Sequence, residues 1–480
     1  LEAPPLLVKV HTFQSLAETS GRRFLTIFLG LGFCPTCSPR LGICGSGWNL
    51  VVDASISPEK RLQRAHLQRL AWIKFSYRTS KETKLYLTPP LLASFSRQQT
   101  RRDRRQRNAL MNAFSPPPRL LMGPGPSNVS PEVLAAQARP TIGHLDPSFV
   151  GLMDRIKDQL RLAFRTDNRV TFPLSAPASL AMEMALVTLL EPGDTAIIAQ
   201  NGVFGGRMAE IARRAGAEVR LVSVEWGKPV DPEAVRASIL EAPQTKLLAF
   251  VHAETSTGVR SDAASLCALA REAGLLSVVD TVTGLGGIPV SVDEWQADAV
   301  YAGTQKCLSA PPGLAPITFS DRAVSAVKAR KTPIQSWFLD LGLMLGYWEG
   351  EGARSYHHTA PVNALYGLHE SLSRLLGEGL ETAWARHRAA HDRLVERLQG
   401  LGIAFVVDKE HRLPQLNTVW LPEGVKDVPE RRRLLDEFGI EIGGGLGPLA
   451  GRIWRIGLMG ETCRIENVDR LAEAIAAVLP

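Results

Sequence analysis

No apolar run in these 480 residues reaches the roughly 18–20 positions a membrane helix needs, so a bilayer-spanning protein is not expected. Cysteine is scarce, with 6 residues, too few for a disulfide framework, and this points to a reducing compartment. Internal repeats and coiled-coil heptads are both missing, which removes solenoids and long fibrous helices. Acidic residues run short only at the front. Residues 1–110 hold 18 Lys+Arg against 6 Asp+Glu, whereas the remainder holds 37 against 42. The net charge of +7 therefore belongs to one segment, and a nucleic-acid partner does not follow from it. What remains, 45% hydrophobic and 21% charged, describes an ordinary globular chain long enough for two or three domains.

The front segment is irregular in pattern and closes on Arg101-Arg-Asp-Arg-Arg-Gln-Arg107. Arg22-Arg23 and the apolar stretch Phe24–Phe33 superficially resemble a signal peptide, but the stretch begins late and lacks a small-residue cleavage site. Cys34, Cys37 and Cys44 have no second cysteine pair to complete a zinc site. The arginine run reads as a solvated linker, with polyanion binding as the rival role. Residues 1–110 are therefore expected to be a dispensable basic extension. Met111 opens the part that reads as an enzyme: an N-terminal arm and large domain over 111–378, then a small α/β domain over 379–480.

Beyond Met111, Ser130-Pro131-Glu132 starts a helix with an N-cap and a first-turn proline. Phe149–Phe164 continues as an amphipathic helix, Val170–Leu174 is strand-like, and Leu180–Leu190 is helical. Strand and helix patterns then alternate: Thr195–Ala199, Gly205–Ala215, Glu218–Val224, Asp231–Leu240, Lys246–His252, and a helix capped by Asp262 that stops at Gly274. Such βα alternation predicts an α/β fold with a mostly parallel sheet covered by helices. Leu380–Leu401 and Ile465–Leu479 are the long helices of the smaller domain.

Two short apolar runs, 275–279 and 299–302, read as buried strands of a parallel sheet that end in Asp280 and in Thr304-Gln305-Lys306. Ligands of open α/β sheets sit beyond such carboxyl ends. A lysine and a carboxylate on one rim suit pyridoxal phosphate: the amine holds the aldehyde as a Schiff base, and the carboxylate keeps the pyridine nitrogen protonated. A plain ion pair is the rival reading. The strand-to-helix turn Ser175-Ala-Pro-Ala-Ser179 offers N–H groups and the Ser179 hydroxyl to a phosphate. Thr255 and Phe204 follow other strand ends and offer a hydroxyl and a flat surface, although turn stabilisation and simple packing compete. Tyr356-His-His-Thr359 suggests metal, but adjacent side chains of an extended segment point opposite ways and no third ligand is evident, so none is expected. Arg455 lies amid apolar neighbours, where a substrate carboxylate or an internal salt bridge would partner it.

Taken together, Gly-Pro-Gly-Pro-Ser-Asn, Glu-x-Ser-Thr-Gly, Val-Asp-x-Val, Gln-Lys-x-Leu-x-Ala-Pro-Pro-Gly, Tyr-His-His-Thr, Gly-Gly-Leu-Gly-Pro and Arg-Ile-Gly occur in order over about 119–480. In these motifs the chain resembles the class V, fold-type I pyridoxal-phosphate aminotransferases, most closely the alanine–glyoxylate and serine–pyruvate or serine–glyoxylate group. The resemblance implies a homodimer with shared active sites that moves an amino group from a small amino acid (alanine or serine) to a small 2-oxo acid (glyoxylate or pyruvate). It implies Lys306 as the Schiff-base lysine and Asp280 as the pyridine-nitrogen partner. Val282 and Phe204 would flank the ring, and Thr255 would lie near its phenolic oxygen. Ala178, Ser179 and Gln305 would contact the phosphate, joined by Tyr356 and Thr359 from the other subunit, and Arg455 would grip the substrate carboxylate. One departure stands out: the family's glycine-bearing phosphate turn is here Ser-Ala-Pro-Ala-Ser, and Pro177 has no N–H. Phosphoserine-type and pyridoxamine–pyruvate-type transamination and lyase chemistry are the nearby alternatives. A cysteine desulfurase would want histidine where Gln305 stands and a downstream loop cysteine. Cytoplasm is the expected location, since neither the front segment nor the final Ala-Val-Leu-Pro reads as an address.

Overall fold

The computed structural model describes residues 114–349 and 354–479, together with the backbone of six short strands between positions 9 and 77. Cys34, Cys37, Cys44 and the Arg101–Arg107 run lie outside the described residues, and of the signal-like stretch only the backbone of Phe28–Gly30 is described. Contacts group Leu1–Ser115 into one unit and Pro116–Pro480 into another. Among the described residues no helix is long and apolar enough to cross a membrane.

The second unit alternates as its pattern predicts. In chain order it runs β1 (Val170–Leu174), α1 (Ala178–Leu189), β2 (Thr195–Gln200), α2 (Val203–Arg214), β3 (Glu218–Ser223), α3 (Pro232–Glu241), β4 (Thr245–Val251), α4 (Ala263–Glu272), β5 (Leu276–Asp280), β6 (Ala299–Tyr301) and β7 (Ala315–Phe319). Boundaries follow local chemistry. Asp231 and Asp262 cap α3 and α4 by accepting N–H bonds from Glu233 at 3.0 Å and Ser265 at 3.3 Å, and Pro232 stands in the first turn of α3. Ser130 caps the helix Pro131–Gln137 through the Val133 N–H, as expected.

The strands form a seven-stranded sheet in the order β3-β2-β4-β5-β6-β7-β1. The first four pairings are parallel and the last two antiparallel. The sequence reading did not include β7, because Ala-Pro-Ile-Thr-Phe is short and carries a proline next to a Pro-Pro-Gly turn. Two antiparallel steps restore β1 to the direction of β6, so Ser175 emerges on the same rim as Asp280. Proline 173 is tolerated in β1 because that strand lies at the sheet edge. Ile197, Ile198, Leu247, Phe250, Val278, Val279 and Val300 are fully buried in one core, each burial worth roughly 1.5–3 kcal/mol.

Beyond α5 (Val362–Glu378) and α6 (Leu380–Gly400) come β8 (Leu416–Trp420), α7 (Asp427–Phe438), β9 (Gly443–Gly444), β10 (Ile453–Gly457) and α8 (Ile465–Val478). They build a three-stranded antiparallel sheet, β8-β10-β9, around a second core of Leu394, Val419, Leu434, Trp454, Ile456 and Ile475. Met122, from the arm that leads into the unit, joins this second core. Leu120-Leu121 pairs in parallel with Ile440-Glu441. The arm thereby ties early chain to late chain and passes the rim on its way.

Candidate active site

Asp280 is the last residue of β5 and is 3% exposed. Its Oδ1 accepts the Val282 N–H at 2.8 Å and its Oδ2 accepts the Tyr301 hydroxyl at 3.0 Å. No cation forms a salt bridge to it among the described residues. Burial pushes its carboxyl up to about 7, assisted by the nearby Glu254 charge and opposed by the two hydrogen bonds and by Arg207. Asp298 gives the contrast. It too is buried, but Arg322, Ser320 and the Ser277 N–H consume both its oxygens, so it serves to lock β5 against β6. Asp280 is the carboxylate left available.

Lys306 stands in the loop after β6. The Thr304 hydroxyl donates to Pro311 O at 2.8 Å and Leu314 O at 3.0 Å, and Ser127 binds the carbonyls of Gln305 and Lys306, so the loop is fastened on both sides. The Lys306 amine donates to the Pro124 carbonyl of the arm. Gly125, at φ +100°, has no room for a side chain there, because a Cβ would meet the Lys306 amine. Burial pushes the lysine down to about 8; Cys307 and Asp280 oppose the shift and Arg455 adds to it. An amine of that character is a usable base near neutral pH.

A Cβ on Gly303 would meet Gln305 Oε1, Val282 and Ala178, so these three expected cofactor contacts converge on one point. Gln305 Oε1 is buried without a partner, an oxygen waiting for a donor. Ser179 stands one residue into α1, and its Oγ accepts Arg207 Nη1 at 2.9 Å. Phe204, in the first turn of α2, is held through its N–H by Glu254 Oε2 at 3.3 Å, and the Arg207 guanidinium lies 4.9 Å from its ring centre. Thr255 is buried, with its hydroxyl on Thr283 and its carbonyl accepting Arg455 Nη1 at 3.4 Å. Arg455, on β10, also donates Nε to Gly444 O at 2.7 Å. Among the described residues it forms no salt bridge to a carboxylate, so the internal-pair reading finds no partner. Burial pushes it down to about 10.

Tyr356 and Thr359 behave differently. Tyr356 is 63% exposed, and the two hydroxyls lie 3.4 Å from each other with no hydrogen bond to Ala178, Ser179 or Gln305. The intervening histidines correct an expectation. They do not point apart: His357 Nδ1 lies 2.9 Å from His358 Nδ1, and His358 Nε2 lies 2.8 Å from Ser175 Oγ. The segment bends there instead of running extended, with His357 stacked on Trp337 at 4.5 Å. Among the described residues no group of three or more His, Cys, Asp or Glu is arranged to hold a metal.

Sequence reasoning missed Tyr301, Glu254, Arg207 and the arm residues Pro124-Gly125 as parts of this site. Glu254 opens the Glu-x-Ser-Thr-Gly motif and Tyr301 ends a strand beside Asp280, which were usable signals. The other two need tertiary structure to be seen.

Residues 132–465 match the family model described as aminotransferase class-V. The chain belongs to that family. It is an aminotransferase of fold type I, with the mostly parallel sheet expected. It is 42% identical to mouse (Mus musculus) alanine–glyoxylate aminotransferase over 373 residues, 77% of this chain and 90% of that protein. It is 38% identical over 381 residues to the (S)-ureidoglycine–glyoxylate transaminase of Bacillus subtilis, covering 76% of this chain and 91% of the other. Among solved structures, an alanine–glyoxylate aminotransferase from Nostoc sp. superposes with a TM-score of 0.76 at 44% identity, over 77% of this chain and 97% of that one.

Proposed function

We propose that this aminotransferase moves the amino group of a small amino acid, alanine or serine, onto glyoxylate, or pyruvate in its place, using pyridoxal phosphate held at Lys306 and Asp280. The observation that carries the reading is the buried Asp280 carboxylate, which has two hydrogen-bond donors, no salt bridge among the described residues, and a lysine on the same rim. The residues fit the cofactor. A pyridinium N–H would supply the missing partner of Asp280, and the Ala178 and Ser179 N–H groups, which have no acceptor among the described residues, would donate to the phosphate. Glyoxylate is favoured as acceptor because both curated relatives named above carry it in their names. The Bacillus relative makes ureidoglycine the second donor to test.

Bound there, pyridoxal phosphate supplies an aldehyde that condenses with amines and a ring that takes up the electrons of a broken Cα–H bond. The chain's own residues do the rest. The Lys306 amine would accept the Cα proton and return it to the carbon on the far side of the amino nitrogen, a task suited to an amine whose pKa is lowered toward neutrality and which is tethered at the rim. Asp280 keeps a proton on the ring nitrogen, and the Tyr301 hydroxyl and Val282 N–H hold the carboxylate in place. Phe204 and Val282 would flank the ring, and Thr255 would lie near its phenolic oxygen, as the resemblance implies. The free donors of Arg455 take the substrate carboxylate and fix which Cα bond faces Lys306.

The working form is proposed to be a homodimer, in which the exposed Tyr356 and Thr359 hydroxyls reach the partner's phosphate cup. Residues 111–480 are proposed to suffice for activity, with 379–480 as the smaller domain, and the cytoplasm as the location, consistent with Cys267, Cys307 and Cys463 being free and buried. The deciding experiment is an absorbance scan of the purified protein, followed by alanine, serine and ureidoglycine tested with glyoxylate and pyruvate for bleaching and recovery of the cofactor band. A protein that stays colourless in saturating pyridoxal phosphate sinks the reading. A protein beginning at Met111 that folds but has no activity sinks the proposal about the front segment.

A further inference from the structure

The turn that would carry the cofactor's phosphate is poor in donors. Pro177, the N-cap of α1, has no N–H and makes no side-chain cap. The Ala176 N–H is spent on Leu174 O at 2.8 Å and the Leu180 N–H on Pro177 O at 2.8 Å. The Ser175 hydroxyl faces His358 Nε2 at 2.8 Å, which leaves the Ala178 and Ser179 N–H groups and the Ser179 hydroxyl as the donors at the helix terminus. A dianion would ordinarily ask for more.

Arg207 supplies a charge at that place. It projects from α2 back to α1, donating Nη1 to Ser179 Oγ at 2.9 Å, and it forms no salt bridge to any carboxylate among the described residues. A guanidinium can only donate, so Ser179 Oγ must accept from it. The hydroxyl's own proton is then free to point where the two idle N–H groups of the helix terminus point. The same guanidinium sits 4.9 Å from the centre of the Phe204 ring, one helical turn earlier on α2. One side chain therefore touches both the phosphate turn and the surface proposed for the cofactor ring.

We propose that Arg207 is a positioning residue that makes this proline-interrupted turn sufficient for the cofactor phosphate, by turning the Ser179 hydroxyl into a donor and placing an unneutralised positive charge behind it. The inference rests on the pyridoxal-phosphate reading above. Arg207 acts through Ser179 and Phe204 and has no part in moving protons.

The test uses the full chain freed of cofactor and measures the dissociation constants of pyridoxal phosphate and of pyridoxal, which lacks the phosphate. Arg207→Gln is expected to weaken pyridoxal phosphate about 10- to 100-fold and to leave pyridoxal within about twofold. Arg207→Lys, which keeps the charge without the fork, is expected to recover part of the loss. Combining Arg207→Gln with Ser179→Ala should cost less than the product of the two single effects, because the pair acts as a unit. Equal weakening of both aldehydes would reduce Arg207 to a packing partner of Phe204, and unchanged binding in the Gln and Lys variants would remove its role altogether; either result overturns the proposal. If Arg207→Gln does not fold, Arg207→Lys and Ser179→Ala give the same phosphate-selective reading. Failure of the unaltered protein to bind either aldehyde would instead overturn the function reading.

Discussion

The Tyr301 hydroxyl donates to Asp280 Oδ2 at 3.0 Å across two neighbouring parallel strands, and this bond holds a buried carboxylate that forms no salt bridge among the described residues. Tyrosine is not acting as an acid there: burial and the adjacent Asp280 push its own pKa upward. Its role is to keep one carboxylate oxygen aimed at the rim.

The isolation of Asp280 sets the pH dependence of the cofactor-free protein. Its carboxyl rises from 3.8 to about 7 on folding, so ionisation opposes the folded state. The sign is that of a raised acid: the penalty is absent below about pH 4, grows between 4 and 7, and is complete above 7. Asp280→Asn is expected to stabilise the cofactor-free protein at pH 8, on the order of 2–4 kcal/mol, and not at pH 4. The same change should lower turnover roughly 100- to 1,000-fold. Thermal melts at both pH values with steady-state rates would check this; a variant destabilised at pH 8 would contradict it.

Lys306, pushed down to about 8, should capture the aldehyde faster as pH rises and level off above that value. Asp280 raises this pKa, so Asp280→Asn should move the inflection to lower pH. Stopped-flow mixing with pyridoxal phosphate across pH reads both. In Lys306→Ala, borohydride should fix no cofactor to the protein and turnover should vanish; sustained multiple turnovers there would refute the role.

Arg455 offers a test of substrate grip. Arg455→Gln removes the guanidinium donors that Gly444 and Thr255 leave unused, and kcat/KM should fall about 10- to 100-fold, mostly through KM. Arg455→Lys should recover little, because a point charge does not replace a fork. Equal kinetics in all three proteins would show that the carboxylate binds elsewhere.

Gly202 precedes α2 at φ 175°, extended backbone that any residue adopts, so the restriction there is space alone. A Cβ would lie 2.4 Å from both the Glu254 carboxyl carbon and Ser256 Oγ. Gly202→Ala should displace Glu254 from the Phe204 N–H, destabilise by about 1–3 kcal/mol, and weaken cofactor retention. Melting curves and the absorbance of the protein as isolated would show it.

Much of this was legible in the chain because it is local. Strand ends at Asp280 and caps at Asp262 and Ser130 follow from periodicity and side-chain chemistry within a few positions. What escaped was long-range or antiparallel. Strand β7 is short and proline-bearing, the Lys306–Pro124 contact joins residues 182 positions apart, and the Arg207–Ser179 bond crosses between helices. The His357–His358 bend escaped for the same reason: the rings meet Trp337 and Ser175, and neither is near in sequence.

The edge strand β1 and the loop after β6 are far apart in the chain, yet the double reversal through β7 sets Ser175–Ser179 and Lys306 around one space. A molecule clasped there fastens the first-made strand of the sheet to its last-made region. Loss of the cofactor should therefore be felt first as fraying along that border, with amide exchange quickening in β1 and β7 while the interior strands β2, β4 and β5 stay protected.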